Sequence, residues 1–186
     1  MPRSFGEVPF TLVDLQIASY NILTGVYGTS RSLDEIQTLE FTPVADTDSI
    51  KAYGRLKHLL SVQTHVEFKL SQAGIDFEAL AIVGGMTNLS SGATPNQKGE
   101  LTASFDGSSL PYFGLVGKVQ AEGVSDLHIG MPVCMLDVLP GLKFEQNKFV
   151  MAEVAGKCIA RESDNKAIFL FRHETPASIS FATIFA

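Results

Sequence analysis

Basic residues are few in this chain and never cluster: 14 lysines and arginines stand against 20 aspartates and glutamates, a formal net charge of −6. Tight nucleic-acid binding draws on clustered Lys and Arg that neutralise phosphates, so this balance argues against a DNA- or RNA-binding module. Contact with nucleic acid that does not adhere stays open. Cysteine is scarcer still. Cys134 and Cys158 sit in the apolar contexts PVCML and GKCIA, with no CxxC pair between them. Their plain reading is a pair of buried thiols behaving as small hydrophobes, with a disulfide left open. No segment is apolar for long enough to span a bilayer, and MPRSFGEVPF lacks the apolar core of a signal peptide. The expectation is therefore no membrane insertion, and a protein made in the cytosol that stays soluble until it assembles.

Motifs for chemistry are also missing. DFEALAIVGGMTNLSSG, residues 76–92, offers two adjacent glycines but places its helix before them. A phosphate loop needs the helix after the glycines, so that free N–H groups at the helix start face the anion. Asp76 suits an N-cap, Phe77, Leu80 and Ala81 share one helical face, and Gly84 stands where a left-handed C-terminal cap belongs. No Lys-Ser/Thr pair follows and no GxGxxG, GxSxG or HExxH occurs. His65 and Glu67 fall on one strand face, but a metal site needs further ligands that no spacing supplies. Scattered carboxylates are read as solvated or as lining a surface that benefits from negative charge. No catalytic, cofactor-binding or metal residue is assigned, and we expect no enzyme and no cofactor.

What the chain does have is alternation. Its 186 residues suit one domain, residues 1–186, and a domain of this size buries about 70% of the surface its unfolded chain exposes. In VQTHVEFKL, 62–70, Val62, Val66, Phe68 and Leu70 oppose Gln63, His65, Glu67 and Lys69, the period of two that marks a half-buried strand. TLVDLQIASY, 11–20, sets Val13, Leu15 and Ile17 against Asp14 and Gln16. ELTASFDG, 100–107, alternates likewise and ends on a DG turn signal. YFGLVGKVQAEG, 112–123, is a further strand whose glycines suggest bulges or close backbone approach. Residues 147–173 read as a hairpin turning at SDN. Segment 47–60 reads as extended and kinked at Gly54.

Two stretches do not look like core: the acidic 28–49 and the polar, Gly/Pro-containing 86–99. Both are long for turns, and loops of such length are usually functional. The expected fold class is mainly β, a β-sandwich or barrel with one short flanking helix at about 77–83, a long 28–49 loop and an N-terminal arm over 1–10. A charged fraction of 18% is below average, which fits a surface partly covered by other subunits.

The order of these segments resembles the tail tube (major tail) proteins of long-tailed bacteriophages. The likeness spans residues 11–176, and its most specific blocks are AGIDFEAL…GG at 73–85 and LPYFGL at 110–115. It implies a β-sandwich subunit in hexameric rings that stack into a hollow tube conducting viral DNA, hence a virion protein made in the host cytoplasm. The implied partners are copies of itself, tape-measure protein, and tail-tip or terminator proteins. It also implies the form without a C-terminal immunoglobulin-like domain. If DNA slides through without sticking, lumen-facing positions carry carboxylates or neutral polar groups, with Glu67 and Gln63 first, then Glu100 and Glu153. Lys69 and Lys157 share those faces. Candidate ring-to-ring contacts are Ser4 and Phe5 of the arm, with Asp34, Glu35, Glu40, Asp46 and Asp48 of the 28–49 stretch. The alternatives are a secretion-system tube ring, a capsid-decorating protein or, from another class, a small β-barrel hydrolase or sugar-binding module.

Overall fold

The computed structural model describes residues 10–33, 36–52, 55–73, 76–104, 107, 109–121, 126–143, 151–173 and 177–185. Among these residues eleven strands and two short helices follow one another: β1 (Phe10–Asn21), β2 (Val26–Ser32), β3 (Ile36–Ala52), β4 (Arg55–Ala73), α1 (Phe77–Gly84), β5 (Thr87–Ser91), β6 (Lys98–Thr102), β7 (Phe113–Ala121), β8 (Asp126–Leu136), β9 (Gly141–Lys143), β10 (Met151–Ile159), β11 (Phe169–His173) and α2 (Phe181–Ile184). The protein is mainly β, and every strand pairing is antiparallel. One sheet runs β2-β1-β7-β8-β10-β4-β3, with β11 added on β8 and β9 on β10, while β5 and β6 form a separate pair.

The sheet curls onto itself. Three strands lie between β1 and β4, yet Leu15 and Ile17 share one buried cluster with Phe68, Leu70, Phe113 and Leu115. Only a sheet bent over its own inner face brings these together. Alternation explains which side chains go in: Val66, Phe68 and Leu70 are buried while Glu67 and Lys69 are exposed. Helix α1 closes one side of this interior through Ala79 and Val83. Its start is fixed as expected, with the Asp76 carboxylate accepting from the N–H groups of Glu78 and Ala79 at 2.9 and 3.1 Å. The left-handed residue at its end is Gly85, at φ +64°, one position beyond the expected Gly84.

A second apolar layer covers the opposite face of the middle strands. Ala18 of β1, Val116 of β7 and Phe169 of β11 are buried with Ile179, Phe181, Ile184 and Phe185 from the C-terminal segment. Backbone and ring come so close here that only glycine fits. A Cβ on Gly114 would lie 2.5 Å from the Tyr27 ring, and one on Gly130 would lie 2.5 Å from Ile184 Cγ2. The close approach expected of the β7 glycines is thus realised at Gly114.

Several expectations need correction. Residues 28–49 are not a loop: apart from 33–35 they belong to β2 and to the 17-residue β3. Segment 47–60 is not one kinked piece but the facing ends of β3 and β4, with Ala52 opposite Arg55. Within 86–99 lie β5 and the start of β6, paired from Thr87↔Thr102 to Ser91↔Lys98. The chain does turn between β10 and β11 over residues 162–165, where Asn165 takes a positive φ, but among the described residues the two strands do not pair with each other. Both lie along one side of β8: Phe169–His173 against Asp126–Gly130, and Gly156–Ile159 against Val133–Leu136. Partner changes hand around Pro132, which has no N–H to offer a ladder. The cysteines are not free thiols: Cys134 and Cys158 face one another across β8 and β10 and are joined as a disulfide. Val13 and Val62 are half exposed rather than packed. Register slips beside each, between Leu12 and Asp14 and at Thr64, and a one-residue slip breaks the alternation.

Candidate assembly surfaces

Two strand pairs carry the residues singled out above. The first is the β3–β4 hairpin, which outruns the body. Its proximal part is anchored by Phe68 and Leu70, but from Ala45 and Gln63 onward toward the tip all side chains described are exposed. Leu59 and Leu60 are each 63% exposed and Val62 51%. Neighbouring residues on a strand point to opposite faces, so Leu59 and Leu60 show that neither face of this ribbon is covered. The register sets Asp46 opposite Val62 and Asp48 opposite Leu60, which places two carboxylates beside two uncovered aliphatic side chains on one face. Strand β3 is also an end of the sheet order, and β2 the other, so among the described residues no strand pairs along the outer edge of either.

The second surface is the outward face of β3, β4 and β10. Registers place Glu40 opposite Lys69, Glu67 between Thr42 and Lys157, and Ser71 between Thr38 and Glu153. Lysines and glutamates therefore alternate across the strands, and cross-strand neighbours of opposite sign favour one another. On this face Glu67 also lies 3.8 Å from Nε2 of His65. Gln63 lies beyond the slip at Thr64, so simple counting no longer puts it with Glu67. Glu100 is on neither surface. It sits on β6, paired with Lys98 at 3.2 Å.

The structure thus brings Glu40, Glu67 and Glu153 onto one face with Lys69 and Lys157, and gathers Asp46 and Asp48 toward the hairpin end. Ser4, Phe5, Asp34 and Glu35 lie outside the described residues. Sequence reasoning missed Leu59, Leu60 and Val62 as surface residues. The signal for the two leucines was two adjacent large aliphatics within an otherwise polar stretch, which no one-sided strand can bury together. Among the described residues no group of three or more His, Cys, Asp or Glu could hold a metal ion.

No family model matches the chain, and no curated protein matches it. Among solved structures, a chain of the virion of a native gene transfer agent particle is similar, with a TM-score of 0.45 and 14% identity over 85% of this chain and 95% of that one.

Proposed function

We propose that this chain is a structural protein of a phage-like virion and, within it, a tail tube subunit that forms stacked hexameric rings around a DNA-conducting lumen. The observation that carries this reading is the β3–β4 hairpin, a 17- and 19-residue ribbon with leucines bare on both faces. An isolated two-stranded ribbon is marginally stable in water, so this one gains most when a neighbour covers it. Open edges at β2 and β3 support the same reading, since unpaired edges invite pairing with another chain. A contact between different patches, repeated about an axis, closes a ring, and a hairpin projecting from each subunit can reach the next ring. In this reading the chain is structural rather than enzymatic, and tape-measure, tail-tip and terminator proteins are its further partners.

The face of β3, β4 and β10 is the proposed lumen wall. Three acids, Glu40, Glu67 and Glu153, stand there with Lys69 and Lys157, so the wall is only mildly negative and each lysine has a glutamate beside it. Such a wall offers phosphates no cluster of free cations. Repulsion reaches about 8 Å at physiological salt, enough to act on a duplex near the wall.

Negative-stain microscopy of the concentrated purified protein tests the assembly. Hollow tubes or rings are expected, and Leu60→Asp is expected to leave folded monomers that form neither. Tubes formed by Leu60→Asp, or persistent wild-type monomers, would refute the hairpin's role. For the lumen, Glu67→Lys is expected to leave tubes intact while reducing genome delivery by infectivity assay. Unchanged delivery would remove this face from the channel.

A further inference from the structure

The outer cover of the middle strands is a segment with two polar clamps and a buried histidine beneath one of them. Its anchors are Ile179, Phe181, Ile184 and Phe185, all buried. At the far clamp, Arg161 donates to the Phe185 carbonyl at 2.5 Å. At the near clamp, the Ala177 N–H donates to Asp126 Oδ2 at 2.7 Å, and Lys118 Nζ donates to the Ala177 carbonyl at 2.9 Å. Lys118 and Asp126 also pair directly at 3.0 Å. Beside them His128 is fully buried, and among the described residues neither of its ring nitrogens has a partner in good hydrogen-bond geometry, with the Ala177 backbone near enough to favour its protonated form weakly. Its Nε2 is 3.9 Å from Asp126 Oδ2, and its ring centre is 4.3 Å from that of His173.

We propose that residues 177–185 form an acid-released latch, which opens when His128 takes up a proton and uncovers the apolar face of β7 and β8. Among the described residues, the charged or titratable groups facing His128 are Lys118 from β7, Asp126 from its own strand and His173 from β11. The C-terminal segment contributes only backbone, because 177–185 holds no charged side chain. Closed, an imidazolium would be a second full cation beside Lys118, sharing a single carboxylate, and the Asp126 and Ala177 contacts that favour it are outweighed by burial and by His173. A buried charge in that position is costly. Open, the same ring is solvated and regains its ordinary affinity for protons.

Burial, and then the neighbouring His173, hold His128 below its ordinary value of 6.5 in the closed form. The closed form therefore binds fewer protons than the open one. Its advantage is complete above about pH 6.5 and declines as pH falls below that, with the opening constant rising up to about tenfold per pH unit for one proton. Asp126 answers at lower pH. Burial raises its affinity for protons, but the Ala177 N–H and Lys118 outweigh that and keep it below its ordinary 3.8.

This proposal does not depend on the tube reading. Its test is amide hydrogen exchange of the full chain from about pH 8 to 5, corrected for the intrinsic chemical rate. Protection of 179–185 is expected to fall up to about tenfold per pH unit below pH 6.5 while β4 and β10 stay protected. His128→Gln, which cannot be protonated, is expected to flatten that dependence. A flat wild-type profile, or an equal fall in His128→Gln, overturns the latch. Should that variant fail to fold, the wild-type profile decides alone: an onset near 6.5 confined to 179–185 upholds the latch, and a flat or chain-wide response ends it.

Discussion

The middle of the sheet and the end of the β3–β4 hairpin are built from the same kind of backbone but live under opposite conditions. Strand β7 is covered on both sides, with Phe113 and Leu115 in the inner core and Val116 under the C-terminal segment. The distal hairpin is covered on neither, and its leucines face water on both sides. A doubly covered strand owes its place to its own chain, whereas a doubly bare one has no such cover. The contrast locates fold-determining positions in β1, β7 and β8, and the proposed assembly places its contacts near the exposed Leu59 and Leu60.

Substitutions can break or sharpen this contrast. The largest effect is expected at Phe68, 2% exposed and edge-on to Phe113 at 6.0 Å, where Phe68→Ala removes about 3–5 kcal/mol of stability in denaturant unfolding. A smaller loss of about 1–3 kcal/mol is expected for Gly130→Ala by the same measurement, because the added methyl meets Ile184 and Phe185 in the outer layer. If Gly130→Ala proved neutral, the outer cover would be loosely seated and the middle strands effectively one-sided. The smallest effect belongs to the hairpin: Leu60→Asp should change monomer stability by no more than about 0.5 kcal/mol, as exposed positions do. A loss comparable to that at Phe68 would mean that the ribbon is packed within its own chain.

Sequence legibility follows the same line. Where one face is buried, as at Val66, Phe68 and Leu70, the period of two is written in the residues and the strand is readable. Helix α1 was readable because Asp76 is a cap chosen by local chemistry. The far half of β3 was not, since a ribbon exposed on both sides has no reason to alternate, and in the near half only Ile36, Leu39 and Phe41 pack against the core, so its polarity resembles that of a loop. The turn after β10 was legible from SDN, but the partner was not. A turn motif is local, while β8 supplies the neighbour for both flanking strands. Burial of both cysteines could be inferred from their apolar context, but their bond required the register of β8 on β10. Of the candidate assembly residues, charge pattern marked Asp46 and Asp48, while the bare leucines beside them, adjacent in sequence, needed the hairpin's length to be seen as exposed on both faces.

Strand β1 meets β2 across a short turn but finds its other neighbour in β7, with Phe10 opposite Ala121 and Ser19 opposite Phe113. During synthesis the first side of β1 can zip up at once, whereas the second stays open until roughly a hundred more residues have been made. Pairings so distant along the chain form slowly. The nascent chain therefore spends its early life with an extra adhesive edge on β1, the interval when a chaperone would matter most.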